Sequence, residues 1–145
     1  MTADGYRSAA EAETAFYAAF ENADLAAMMR VWARADDIEC IHPLGERLVG
    51  VTAIGNSWQR IFSGRKRLRF QLSDINRYAD KRLVMHVLYE KISIGSNRQP
   101  PVIATNVYRF NGNGWHMVLH HASIATDIST EDDNPEPDPD IQILH

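Results

Sequence analysis

Apolar residues recur at spacings of three and four through the first part of the chain, and alternate one by one thereafter. Between Tyr6 and Glu21 the residues Ala9, Ala12, Phe16, Ala19 and Phe20 form one stripe, with Tyr17 beside it; that spacing predicts an amphipathic helix. Asn22-Ala23-Asp24 interrupts it, and Asp24 is placed to cap a second helix carrying Leu25, Met28, Met29 and Trp32. Asp36-Asp37 turns the chain into a short strand, Ile38 to His42, which Pro43 stops. Gly45 and Gly50 punctuate a loop. Thr52 is the expected cap of a third helix with Ile54, Trp58, Ile61 and Phe62, and Gly64 the expected end. The period then changes. Leu68, Phe70 and Leu72 alternate with Arg67, Arg69 and Gln71, as on a half-buried strand. Longer strands are expected from Arg82 to Ile94, Val102 to Phe110 and Trp115 to Ala125. Asn111-Gly112-Asn113-Gly114 joins the last two as a hairpin, since Asn and Gly tolerate the positive φ of such turns. Helices followed by a run of strands predict an α+β domain, with helices covering one face of a curved antiparallel sheet.

Composition narrows the class without naming a substrate. The 145 residues suit one domain, and 45% hydrophobic with 23% charged residues is ordinary for a globular protein. No apolar run approaches the ~20 residues that span a bilayer, and no basic-then-apolar leader opens the chain. Cys40 is the single cysteine, which excludes an internal disulfide and any multi-cysteine metal site. A cytoplasmic protein is therefore expected, with no membrane partner. The net charge of −4 is uneven: residues from Asp127 onward hold seven acids and no Lys or Arg, leaving twelve acids against fifteen bases, a body of about +3. Residues 1–126 are read as the domain and 127–145 as an acidic, proline-containing tail that cannot pack a core. Arg65, Lys66, Arg67 and Arg69 cluster, but without interleaved aromatics beyond Phe70, so no nucleic-acid partner is expected.

Particular words in this order carry a resemblance: FYAAFENADLAAMMRVWA, CIHP followed by LVG, SWQRIF, LRFQLSD, and ATNVYRF with GWHMVLHHAS. From about Tyr6 to Ser123 the chain resembles the SnoaL-like branch of the nuclear transport factor 2-like superfamily, which includes ketosteroid isomerase-like members. The resemblance implies a cone, in which a strongly bent antiparallel sheet wraps three N-terminal helices and encloses an apolar pocket. It also implies a homodimer paired through the outer face of the sheet. The same cone hosts isomerases, polyketide cyclases, dehydratases and non-catalytic assembly domains, so fold alone chooses no activity.

Strand parity selects the candidate chemistry. On the last strand Trp115, Met117, Leu119, His121 and Ser123 share one side and His116, Val118, His120 and Ala122 the other. The first set is the more apolar, so His121 is expected inside and His120 outside. His42 resembles the position from which related enzymes project a group into the pocket mouth, and an imidazole suits proton transfer near neutral pH. Glu90 shares a face with His86, Leu88 and Ile92, where an inward carboxylate serves as acid or base. His42, His121 and Glu90 are thus the catalytic candidates. Asn106, beside Ala104, is a candidate to orient a ligand carbonyl, Tyr108 on the same face is a further candidate ligand contact, and Tyr17, Phe20, Trp32 and Trp58 are candidate pocket walls. Each has a plainer reading as core or hydrogen-bonded structure; His86 and His116 are assigned to surface or interface.

The isomerase pattern of a strand carboxylate base with a tyrosine and protonated acid is missing, because His42 stands where the carboxylate would be. The cyclase aspartate likewise has only His121 as substitute. No nucleophile elbow, phosphate loop or dinucleotide fingerprint occurs, so no cofactor is expected. Two readings stand. One is a cofactor-independent isomerase, cyclase or dehydratase that uses histidine to move protons on a small apolar or carbonyl compound. The other is a non-catalytic domain for ligand binding or dimerisation. A metal held by His42, His121 and Glu90 is a weaker third.

Overall fold

The computed structural model describes residues 5–64 and 67–126; Arg65, Lys66 and the acidic tail lie outside the described residues. Three helices precede most of the sheet: α1 (Ala9–Asn22), α2 (Leu25–Val31) and α3 (Val51–Phe62). The strands are β1 (Glu39–Ile41), β2 (Leu48–Val49), β3 (Arg69–Ala79), β4 (Leu83–Ile94), β5 (Asn97–Arg98), β6 (Val102–Phe110) and β7 (Trp115–Ile124). None of these helices is long and apolar enough to cross a membrane.

Local chemistry sets the helix ends. The Ser8 side chain accepts from the Glu11 N–H at 3.0 Å and that of Asp24 from the Ala27 N–H at 3.0 Å, each satisfying a donor the helix cannot. The third helix begins differently from expectation. Gly50, not Thr52, is its cap, with φ 92 and no side-chain hydrogen bond. The chain must swing from β2 into the helix there, and glycine takes the positive φ without a steric cost. At the other hairpin Asn111 Oδ1 accepts from the N–H groups of Asn113 and Gly114, at 2.8 and 2.9 Å.

The sheet runs β2-β1-β7-β6-β4-β3, with β5 against β4. It is curved and does not close, and it is mixed rather than wholly antiparallel, because β1 lies parallel to β7. Two bulges bend it. On β3, Asp74 and Ile75 oppose the single residue Leu88, with Asp74 at φ 51. On β7, Met117 pairs Tyr108 and Leu119 pairs Val107, leaving Val118 as the extra residue. Just before that bulge β7 is bordered by Trp32 and Ala33, whose N–H donates to the Met117 carbonyl at 2.9 Å. Just after it the neighbour is β1. The bulge thus sits where β7 changes partner.

Its consequence is a reversal of parity. Met117 is buried, but beyond Val118 the buried positions are His120 and Ala122, while His121 and Ser123 face solvent. The expectation that His121 points inward and His120 outward is therefore corrected.

Rings from α1 and α3 meet on the concave side. Phe16 and Phe20 of α1 meet Trp58 of α3 at centroid distances of 5.7 and 4.8 Å, and Phe20 meets Phe70 of β3 at 4.6 Å. Phe16, Phe20, Trp32 and Trp58 are all fully buried.

Candidate functional site

One transverse row of the concave face is polar. Strand register aligns His86 of β4 with Asn106 of β6, Asn106 with His120 of β7, and His120 with Cys40 of β1. All four are buried. A buried polar group needs a partner, and α1 supplies several. Glu13 Oε2 lies 2.7 Å from His86 Nδ1. The Tyr17 hydroxyl donates to Glu90 Oε2 at 2.6 Å and accepts from Asn106 Nδ2 at 2.9 Å. With the amide so oriented, Asn106 Oδ1 accepts from His120 Nδ1 at 2.6 Å. The chain His120, Asn106, Tyr17, Glu90 is therefore a directed series, each group donating to the next.

Burial pushes the Tyr17 phenol well above its usual range, and the Glu90 carboxylate beside it adds to the shift. The same holds for Tyr108, through burial first and then Glu13 and Glu90. Both remain phenols at any working pH. The Tyr108 hydroxyl is buried with no hydrogen-bond partner among the described residues.

His42 stands beyond the β1 end of this row. It follows Cys40 on the inward side, and its carbonyl accepts from the Gly45 N–H at 2.8 Å, closing a turn with Pro43 and Leu44 at the centre. Leu44 has φ 62 and is 90% exposed, a conformation that costs a branched side chain about 1–2 kcal/mol. His42 Nε2 lies 2.6 Å from Ser57 Oγ of α3 and 3.5 Å from Cys40 Sγ. Its ring stands edge-on to Trp58 at 4.9 Å and 6.2 Å from that of His120. Burial pushes the Cys40 thiol far above its usual range, so it is no thiolate nucleophile. The imidazole and Ser57 open on a cleft of about 220 Å³, whose other lining residues are Gly45, Glu46, Leu48, Arg60 and Ile61.

Of the catalytic candidates, then, His42 reaches this cleft, Glu90 lies deep in the directed series, and His121 is on the outer face. The three are not brought together, and among the described residues no cluster suited to a metal ion occurs. Tyr17, Phe20, Trp32, Trp58, Asn106 and Tyr108, the candidate ligand contacts, are buried, and none lines this cleft; Trp58 comes nearest, against His42. His86, assigned to surface or interface, is instead buried in the single chain, where Glu13 meets it. Ser57, Glu13 and His120 were not singled out as site residues from sequence. The first two share one signal, a polar residue on the apolar stripe of a helix, which is tolerable only with a partner.

The SnoaL-like domain profile matches residues 10–127. The F-box protein SKIP8 of Arabidopsis thaliana is 31% identical over 120 residues, which is 81% of this chain and 50% of that protein. The chain thus spans about half the length of this curated relative. Among solved structures, one from Thiobacillus denitrificans described as a candidate calcium/calmodulin-dependent protein kinase type II association domain is 41% identical. Its TM-score is 0.79, with 83% of this chain and 98% of that one covered. A candidate dehydratase of the NTF2-like family from Streptomyces avermitilis is 29% identical with TM-score 0.72, covering 80% and 92%.

Two outcomes are expected. Replacing His120 by Ala orphans a buried Asn106 oxygen and destabilises the fold by at least ~1–3 kcal/mol, whereas His121→Ala stays within ~0.5 kcal/mol; urea denaturation distinguishes them. Because the folded phenols hold their protons where the unfolded chain releases them, stability is fully present below about pH 10 and falls above it. Each buried tyrosine contributes a slope of about 1.4 kcal/mol per pH unit. Tyr108→Phe removes one such slope and leaves the neutral-pH stability undiminished, read from denaturation midpoints across alkaline pH.

Proposed function

The chain belongs to the SnoaL-like domain family, and from that premise we propose that it is a cofactor-independent catalyst moving protons on a small carbonyl compound bound at the His42 cleft. The observation that carries this reading is the 2.6 Å contact of His42 Nε2 with Ser57 Oγ on the cleft floor. With Nε2 on Ser57 Oγ and Nδ1 buried, the proton passes through the hydroxyl: Ser57 takes it from a carbon beside a carbonyl as its own proton moves to the imidazole, and the reverse transfer returns it elsewhere. Return to another carbon is isomerisation; return to a β-hydroxyl, leaving as water, is dehydration, the reaction class in the name of the Streptomyces avermitilis relative. Ser57 follows the ring's tautomer because a hydroxyl both donates and accepts. Acyl transfer fits less well. Ser57 lies inside α3, where backbone N–H groups are committed to helical bonds and supply no oxyanion site.

A second reading, assembly through the sheet, has its own support. On the convex face Met85, Val107 and Leu119 stand in one row and Tyr89 and Ile103 in another, half-buried in the single chain. An apolar face on the central strands can pair with its own copy about a two-fold axis, so the expected partner is a second copy. His121 projects from that face beside Thr105.

Turnover is sought by proton NMR in D2O, following α-proton exchange of small ketones and dehydration of small β-hydroxy carbonyl compounds. His42→Ala is expected to lower the rate at least ~100-fold while His121→Ala leaves it unchanged; an undiminished rate in His42→Ala, or no turnover of any compound, overturns the catalytic reading. For assembly, the native protein is expected to sediment as a dimer and Val107→Glu as a monomer. A monomeric native protein overturns that pairing.

A further inference from the structure

The cleft carries two charges that the protein itself leaves unused. Arg60, near the end of α3, and Glu46, in the loop before β2, both line it, and neither has an ion pair or hydrogen bond among the described residues. Other exposed charges do find partners: Arg47 holds Glu39 and Arg109 holds Asp37 through paired contacts. An arginine fork left open at the rim of a cleft matches one ligand group best, a planar carboxylate accepting two parallel hydrogen bonds. Glu46 in the same cleft limits the charge the ligand can bring. It repels a dianion about twice as strongly as a monoanion, so the single Arg60 charge offsets a monocarboxylate better than a phosphate monoester or a dicarboxylate.

The remaining walls fix size and polarity. Leu48 and Ile61 are apolar, and the buried His42 and Ser57 offer the polar contacts at the floor. A cavity of 150 Å³ accommodates benzene, so about 220 Å³ accommodates about nine non-hydrogen atoms. That is below the usual range for drug-sized ligands.

We infer that this cleft binds a small monocarboxylate, with Arg60 clasping the carboxylate and the far end of the molecule lying against the His42–Ser57 pair. The inference rests on the cleft being the ligand site and adds the class of molecule that enters it. Arg60 is a specificity residue in this arrangement, and the proton chemistry stays with His42. The substrate carbonyl sought above is then a ketone at the far end of a small acid.

Benzoate, with nine non-hydrogen atoms, is the probe, and benzamide its neutral counterpart of the same shape. Binding is read on the full-length protein from the His42 ring signals in carbon–proton NMR spectra at millimolar probe. Benzoate is expected to shift those signals, with benzamide at least tenfold weaker. Arg60→Gln, an exposed substitution that leaves urea stability unchanged, is expected to weaken benzoate at least tenfold and benzamide not at all. Equal binding of the two probes, or benzoate binding unaffected by Arg60→Gln, overturns the carboxylate assignment and leaves the cleft as a ligand site. Failure of both probes to move His42 overturns both.

Discussion

Docking of α1 against the polar row of the sheet is the constraint on which the other contacts depend. Glu13 meets His86, and one helical turn later Tyr17 meets both Glu90 and Asn106. These groups sit in an apolar interior, where each left unpaired would cost on the order of 1–3 kcal/mol. Sliding the helix by one turn would break all three contacts at once. Buried polar pairs add little net stability compared with well-packed apolar residues, but they penalise wrong alignments heavily. The row therefore acts as a register key. Once α1 is seated, Phe16, between Glu13 and Tyr17, lands on His120 at 5.0 Å, and Phe20 reaches Trp58 and Phe70.

Seating Trp58 in turn defines the cleft. Its ring stands against His42, while Ser57, the preceding residue on α3, holds the imidazole nitrogen. The helix that completes the aromatic core thus also fixes the orientation of the proposed proton carrier. Rigid support of this kind is what general acid–base chemistry needs, because proton transfer falls off steeply once the heavy atoms leave hydrogen-bond range. The parallel placement of β1 beside β7 brings His42 near His120, so the ring at the rim and the directed series beneath it share one wall.

Periodicity made much of this architecture legible. Alternation in VIATNVYRF gives β6 at its observed ends, Asp24 is the cap it was expected to be, and the Asn-Gly-rich turn closes as a hairpin. Spacings of three and four gave the three helices, and the change of period gave the sheet that follows them. Side-chain direction on β7 was not legible, for a specific reason. Met117-Val118-Leu119 is an unbroken apolar run in which either parity satisfies the pattern, and one extra residue flips every side chain beyond it. The adjacent histidines could then be told apart only by knowing that Asn106 waits opposite His120. Glu13 and Ser57 were hidden differently: their helical spacing was visible, but their partners come from distant strands.

The location of the cleft follows from the same packing. The resemblance implies a pocket inside the cone, where Phe16, Phe20 and Trp58 now interlock edge to face. Edge-to-face rings at these distances keep dispersion contacts with one another. The short strands β1 and β2 and the outer end of α3 are different, because a two-residue strand and a turn cannot bury the flank of a helix. A turn with an exposed leucine at positive φ leads the chain out from His42, and backbone strain of that kind concentrates beside functional groups. The cleft thus lies where the buried His42 imidazole meets the exposed charges of Glu46 and Arg60.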